Sequence, residues 1–147
     1  MKIAVITGAS SGMGREFVRQ LAKKEEIDEI WAIARREQRL KELADEIGIP
    51  LRALALDLTC EQSFEQYARQ LEAEKPEVAV LVNCSGYGKF GHFSDIALDD
   101  MMGMIDLNCK ALVRMTALTL PYMGRGGEIY QLDSLSSFQP VPYINIY

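Results

Sequence analysis

Histidine and cysteine are scarce in this sequence, which has one His and three Cys among 147 residues. Cys60, Cys84 and Cys109 are an odd number without Cys-x-x-Cys spacing, and one histidine cannot complete a zinc site with them. We therefore predict no metal site. The absence of a disulfide pattern favours reduced thiols and a cytoplasmic location.

Long apolar runs and clustered basic charge are also absent. The apolar run at residues 3–6 is far shorter than a signal peptide or a membrane span. The net charge is −5 and the basic residues are scattered, so no basic stripe is available to neutralise a nucleic-acid backbone. We expect neither a membrane nor a nucleic-acid partner.

Repeats and Gly/Ser- or Pro-rich linkers are missing too, so we predict one domain over residues 1–147. Short apolar runs alternate with longer amphipathic stretches, which is typical of parallel strands buried under helices on both faces. The predicted strands are 3–6, 29–33, 52–55, 78–82 and 128–132. The predicted helices are 13–24, 37–47, a helix to 74 with Thr59 as N-cap, and 99–123. This pattern predicts an α/β fold with a doubly wound parallel sheet of the Rossmann type.

A glycine-rich turn follows the first predicted strand. Glycines there let the backbone approach a pyrophosphate, and the N-terminus of the next helix faces its negative charge. The turn consists of Thr7, Gly8, Ala9, Ser10, Ser11, Gly12, Met13 and Gly14. Its Thr-Gly-x-x-x-Gly-x-Gly spacing resembles that of the short-chain dehydrogenase/reductase family, so the turn is predicted to bind a dinucleotide.

Three further segments match that family in order and spacing: Asp57-Leu58-Thr59, Asn83-Cys84-Ser85-Gly86 and Asn108. The resemblance implies that Asp57 contacts the adenine amino group, that Gly86 and its neighbours line the nicotinamide side, and that Asn108 holds a water in a proton relay. Cys84 and Ser85 depart from the family's usual Asn-Ala, but both are small. Each of these residues, taken singly, also has a structural explanation. Asp57 could cap a helix, Asn83 could be a turn residue, and the Asn108 side chain could bond to a neighbouring carbonyl.

The residues after the second predicted strand bear on the choice of cofactor. An NAD site places a carboxylate about 20 residues after the glycine turn, whereas an NADP site has arginine near the 2′-phosphate. Here position 34, which lies 20 residues after Gly14, is Ala34 and not an acid, and Arg35 and Arg36 follow it. We therefore predict NADP(H), with NAD(H) as the alternative. The alternative interpretation is that the two arginines are ordinary surface charges, which Glu37 could partly cancel.

The end of the sequence matches the family's catalytic segment. The resemblance places its catalytic serine at Ser134 and its tyrosine, thirteen residues later, at Tyr147. The family's lysine follows four residues after the tyrosine, beyond this sequence, so we expect the isolated chain to be inactive. The implied reaction transfers a hydride between NADP(H) and a carbonyl or alcohol substrate.

Two further interpretations concern the complete protein. The resemblance implies that this chain is the N-terminal part of such an oxidoreductase, without the last strands of the family fold, and that a complete chain forms a homo-oligomer. The competing hypothesis is a non-catalytic NADP-binding module or sensor that naturally ends here. A lysine-containing continuation would favour the enzyme.

Overall fold

The computed structural model describes all 147 residues as a parallel five-stranded sheet with helices on both faces. The strands are β1 (Lys2–Thr7), β2 (Glu29–Ala34), β3 (Leu51–Ala55), β4 (Glu77–Asn83) and β5 (Met123–Gln131). The helices are α1 (Gly12–Leu21), α2 (Glu37–Glu46), α3 (Glu61–Glu74), α4 (Leu98–Ile105) and α5 (Ala111–Thr119). The predicted Rossmann-type α/β fold is confirmed.

The hydrophobic core lies on both faces of the sheet because the central strands are apolar at successive positions. Residues 3–6 of β1 are completely buried. Val18 of α1 and Leu40 of α2 pack on one face, and Tyr67 of α3 and Met115 of α5 pack on the other. Each face therefore has its own apolar cluster, and the sheet is the shared layer between them.

The strand order β3-β2-β1-β4-β5 determines where a ligand fits. The chain first moves outward from β1 to β3, and then returns so that β4 pairs with the free side of β1, with Ile6 opposite Val82. A crevice forms where the order reverses, beyond the carboxyl ends of the strands, and open α/β sheets bind ligands there. Thr7 and Asn83 end the two strands beside this crevice.

Two predicted helix boundaries were wrong. Helix α1 ends at Leu21 rather than at residue 24, because the Lys24 N–H bonds to the Leu21 carbonyl in a tighter three-residue turn. Helix α3 has Cys60 as its N-cap instead of Thr59. Thr59 lies one residue before this cap, in the turn after β3, where its hydroxyl donates to the Asp57 carboxylate at 2.7 Å.

The helix predicted over residues 99–123 is divided. A π-helical turn, Asp106–Lys110, separates α4 from α5, and a short 3-10 turn, Leu120–Tyr122, follows α5. π turns widen the helix locally and occur often at functional sites, and this one contains Asn108. None of the helices combines the length and the apolar character that a bilayer span requires.

Strand β5 begins earlier than the predicted residue 128. It starts at Met123, and its register against β4 shifts between Val78 and Val80, close to Gly126 with its φ of +83°. Glycine adopts this left-handed conformation without strain. The apolar pattern of the sequence did not indicate the irregularity in the strand. β5 is one of the two edge strands of the sheet, and most of it is exposed.

Candidate functional site

A cleft of about 290 Å³ lies at the carboxyl ends of β1 to β4. Its lining includes most of the residues predicted to bind a cofactor: Gly8, Ser10, Ser11, Gly12, Met13, Arg35, Arg36, Asp57, Leu58, Cys84, Ser85 and Gly86. Ala34, Leu56 and Leu107 also line it and were not singled out from the sequence. Ala34 ends β2 and Leu56 directly follows β3. Their positions at strand ends could therefore have identified them as cleft residues from the sequence.

The glycine turn packs closely against neighbouring backbone. Gly8 has a φ of +68°, and a Cβ atom there would lie 2.7 Å from the Cys84 carbonyl oxygen. A Cβ atom on Gly14, at the start of α1, would lie 2.4 Å from the Gly8 carbonyl oxygen. These distances are too short for any side chain, so the two glycines allow α1 to begin directly above the end of β1.

Thr7 joins the glycine turn to the segment after β4. Its hydroxyl oxygen accepts hydrogen bonds from the backbone N–H groups of Cys84 and Ser85, both at 3.0 Å. The side chain is buried and does not line the cleft. Thr7 therefore fixes the distance between the two walls of the cleft.

The Asn83 side chain points away from the cleft. Its amide Nδ2 donates to the Thr116 hydroxyl at 3.0 Å and to Gln131 Oε1 at 2.9 Å. These bonds connect β4 to α5 and β5. The Asn83 side chain thus supports the sheet beneath the site, together with Thr7 and the buried Gly14.

Cys84 supplies a neutral side chain to the cleft. Burial raises the pKa of its thiol, and an opposing backbone hydrogen bond from Gly14 does not cancel this effect. A raised pKa keeps the sulfur protonated at neutral pH. The thiol therefore adds no negative charge to the cleft.

Arg36 lies over the glycine turn. Its Nη2 atom donates to the Ser10 hydroxyl at 2.9 Å and to the Ser11 hydroxyl at 2.8 Å. Glu37, which could have cancelled this charge, instead pairs with Lys41 at 2.7 Å. Arg36 has no carboxylate within ion-pair distance, so its positive charge remains available to an anion.

Asp57 lies in a turn at the end of β3. Partial burial raises the pKa of its carboxyl, but hydrogen bonds from the Thr59 N–H and hydroxyl, together with the charge of Arg35, outweigh burial and leave the pKa below its ordinary value. Asp57 is therefore ionised at neutral pH. Its carboxylate caps this turn and also lines the cleft.

Asn108 holds the segment that follows β4. Its Oδ1 atom accepts the Tyr87 N–H at 3.0 Å, and its Nδ2 donates to the Tyr87 carbonyl at 2.8 Å. A Cβ atom on Gly86 would lie 3.2 Å from Asn108 Oδ1, so a glycine fits best beside it. The amide thus bonds a neighbouring carbonyl, as one interpretation of the sequence expected. Its role in holding a water stays a prediction.

Ser134 and Tyr147 lie at the same edge of the sheet as the cleft. Ser134 follows β5, and its hydroxyl oxygen accepts the Ser136 N–H at 3.1 Å. The Tyr147 ring packs on Gly88, where a Cβ atom would lie 2.9 Å from Tyr147 Cδ2. Gly88 thus leaves the space that this ring occupies.

The order of these elements and the spacing of the glycine turn correspond to one protein family. A family model described as short chain dehydrogenase matches residues 2–147. The chain belongs to the short-chain dehydrogenase family. The resemblance noted from the glycine turn, Asp57 and Asn108 is thereby confirmed at the level of the family.

The named relatives of this chain are oxidoreductases. It is 34% identical to sulfoacetaldehyde reductase 2 of Chromohalobacter salexigens, covering 99% of this chain and 59% of the relative. It is 33% identical to the NADP-dependent 3-hydroxy acid dehydrogenase YdfG of Escherichia coli, with the same two coverages. An uncharacterized oxidoreductase of Staphylococcus epidermidis is 29% identical and is covered over 64% of its length. The chain thus spans about three fifths of the length of these relatives.

Solved structures of short-chain dehydrogenases superpose on nearly the whole chain. The enzyme from Sphingobium yanoikuyae in complex with NADPH has a TM-score of 0.85 and 28% identity, covering 100% of this chain and 59% of that one. L-sorbose reductase from Gluconobacter frateurii, complexed with NADPH and L-sorbose, has a TM-score of 0.87 and 30% identity, covering 99% and 57%. Both neighbours were solved with NADPH.

Proposed function

We propose that this chain forms the NADP(H)-binding site, and supplies the reacting serine and tyrosine, of an oxidoreductase that interconverts a carbonyl compound and an alcohol. The observation that carries the proposal is the position of Arg36. Its guanidinium lies on the hydroxyls of Ser10 and Ser11 at the rim of the cleft, without a carboxylate partner. A phosphate is the anion that such a planar donor group binds best.

The residues of the cleft fit a dinucleotide phosphate. The glycine turn and the N-terminus of α1 would hold the pyrophosphate, because bare backbone N–H groups and the helix dipole favour negative charge there. Arg36 and Arg35 would hold the 2′-phosphate, and Asp57 the adenine amino group. Cys84, Ser85 and Gly86 would line the nicotinamide side, where the neutral thiol adds no charge.

Bound NADPH would supply the hydride, and the protein would supply the proton. In this proposal the Ser134 hydroxyl binds the carbonyl oxygen and the Tyr147 phenol donates a proton to it. An unperturbed phenol has a pKa of about 10, so a neighbouring cation must stabilise its anion for donation at neutral pH. By resemblance, the family's lysine is the cation that serves this purpose.

The names of the relatives favour a small polar carbonyl compound as substrate. Sulfoacetaldehyde, a 3-hydroxy acid and L-sorbose each carry polar groups close to the reacting carbon. We therefore extend this substrate class to the chain as part of the proposal.

The test is a titration of the protein with NADPH and with NADH, followed by cofactor fluorescence, with turnover assayed on a panel of small ketones and aldehydes. We expect the chain to bind NADPH more tightly than NADH, without turnover. In a chain extended to include the family's lysine, we expect NADPH consumption that Tyr147→Phe or Ser134→Ala abolishes while binding is retained. Absence of binding to either cofactor would overturn the proposal. Binding without turnover in the extended chain would favour the non-catalytic module.

A further inference from the structure

The segment that carries Tyr147 is attached to the segment that follows β4. We call residues 143–147 the tyrosine arm and residues 88–92 the β4 loop. The Gly91 N–H donates to the Tyr143 carbonyl at 2.9 Å, and the Asn145 amide donates to the Gly91 carbonyl at 3.2 Å. Both backbone polar groups of Gly91 are therefore bonded to the tyrosine arm.

Two ring contacts lie on either side of this backbone pairing. The rings of His92 and Tyr143 meet edge to face, with centroids 4.9 Å apart and an angle of 86° between their planes. At the other end of the arm, the Tyr147 ring packs on Gly88. The arm thus contacts the β4 loop at three successive places, and Tyr147 is the last of them.

The backbone of Tyr143 is strained. Its φ of +66° lies in the left-handed region, which a bulky residue rarely adopts. Such a conformation persists only where the surrounding contacts hold it. The contacts that hold it here are the Gly91 N–H on the Tyr143 carbonyl and the His92 ring on its side chain.

The β4 loop is itself anchored on the opposite side. Asn108 bonds both backbone groups of Tyr87, the residue directly before the loop. A continuous series of contacts therefore runs from the π turn through Tyr87, Gly91 and Tyr143 to Tyr147. The loop provides the surface on which the arm is arranged.

We propose that His92 and Tyr143 are positioning residues that hold Tyr147 in place through the Gly91 pairing. This inference rests on the proposed function, in which Tyr147 is the proton donor. His92 contacts Tyr143 and not Tyr147, so its effect on the reaction is indirect. Its removal releases the left-handed turn at Tyr143, and Tyr147 then loses its fixed position over Gly88.

The experiment is NMR spectroscopy of the whole chain without cofactor. The Tyr147 ring signals are assigned with Tyr147→Phe, and exchange of the Gly91 amide is followed in the wild type and variants. We expect His92→Ala to shift the Tyr147 signals and to speed Gly91 exchange about fivefold to tenfold, as for loss of one hydrogen bond. His92→Phe, which keeps a ring on Tyr143, restores both properties. Phe93→Ala is the matched control, because Phe93 is the exposed neighbour of His92 and is expected to leave both unchanged.

Asn145→Ala is a second variant that does not involve either ring. It removes the donor to the Gly91 carbonyl and is expected to shift the Tyr147 signals in the same direction as His92→Ala. Unchanged Tyr147 signals and Gly91 exchange in both variants would overturn the proposal. Equal effects of His92→Ala and His92→Phe would overturn the role assigned to the ring contact.

Kinetics distinguish positioning of Tyr147 from binding of substrate. In the turnover assay of a chain extended to include the family's lysine, His92→Ala is expected to lower kcat about tenfold or more with little change in KM, since misplacement of a reacting group lowers the rate of the chemical step. His92→Phe is expected to recover most of this loss. The NMR measurements need neither cofactor nor substrate. Unchanged NMR signals would therefore overturn the positioning role without affecting the NADPH titration. Absence of NADPH binding would overturn the proposed function without affecting the contacts between the tyrosine arm and the β4 loop.

Discussion

The Arg36 guanidinium and the Ser10 hydroxyl are in contact, with 2.9 Å between Nη2 and Oγ. The donor is at the start of α2 and the acceptor is in the glycine turn, 26 residues earlier in the chain. A hydroxyl accepts this hydrogen bond without neutralising the guanidinium, as a carboxylate would. The contact therefore places the arginine at the rim of the cleft and leaves its charge free for the proposed 2′-phosphate.

Replacing Arg36 by alanine tests this role. A hydrogen bond to a charged group contributes about 1.5–3 kcal/mol, so Arg36→Ala is expected to weaken NADPH binding about tenfold to a hundredfold and to leave NADH binding nearly unchanged. Both dissociation constants are measured by fluorescence titration. Arg39→Ala, one turn along α2, is the control for net charge. An equal loss for both cofactors would contradict a 2′-phosphate site at Arg36.

A methyl group at Gly14 should disrupt the junction of β1 and α1. Its Cβ would lie 2.4 Å from the Gly8 carbonyl oxygen, and overpacking of this kind costs about 1–3 kcal/mol. Urea unfolding should show this loss of stability for Gly14→Ala. Gly48→Ala is the matched control, because no atom lies within 4 Å of its Cβ position. Similar stability of the two variants would refute the close approach.

Thr7→Val should destabilise the chain although it preserves the shape of the side chain. Valine has no acceptor for the N–H groups of Cys84 and Ser85, and each buried unsatisfied donor costs about 1–3 kcal/mol. Thr7→Ser keeps the hydroxyl oxygen and should lose much less stability. The two variants are compared by urea unfolding. A larger loss for serine than for valine would show that packing, and not the hydrogen bonds, dominates at this site.

The carboxyl of Asp57 should make stability depend on pH in acid. Its folded pKa lies below the unfolded value, so its contribution is fully present above the unfolded pKa of about 4 and is lost as the pH falls through the folded pKa. The unfolding free energy of Asp57→Asn should therefore differ most from the wild type near neutral pH and least at about pH 2. A difference that is independent of pH would exclude this contribution.

The three thiols should react at different rates. Burial raises the pKa of Cys84, so less of it is thiolate at a given pH, whereas Cys60 and Cys109 are exposed. Treatment with iodoacetamide at pH 8, followed by peptide mass spectrometry, should label Cys84 last. Unfolding in urea should remove the difference. Labelling of Cys84 first in the folded protein would contradict a buried, neutral thiol.

Much of the cleft could be predicted from the sequence because its requirements are local. The tight turn between β1 and α1 needs glycine at Gly8 and Gly14, and short apolar runs place the strand ends. The orientation of Asn83 was also readable in principle. Leu81 packs with α3 and α5, and Val82 packs on the opposite face, so the alternation along β4 directs Asn83 toward α5.

The features that could not be predicted depend on contacts distant in sequence. The spacing of apolar residues around the π turn is the same for an α-helix and for a wider turn of five residues, so it could not predict the π turn. This turn places Asn108 against the backbone of Tyr87. The bonds from Arg36 to Ser10 and Ser11 likewise exist only after α2 has packed beside α1. The start of β5 depends on its register against β4.

The hydrogen bonds from Cys84 and Ser85 to Thr7 join residues 77 and 78 positions apart in the chain. During synthesis, the glycine turn therefore emerges from the ribosome long before the strand that completes the opposite wall of the cleft. Proteins are made at about 5–20 residues per second, so this interval lasts several seconds. Throughout it, a nascent chain that has already formed β1 and α1 has no cleft in which to hold a nucleotide.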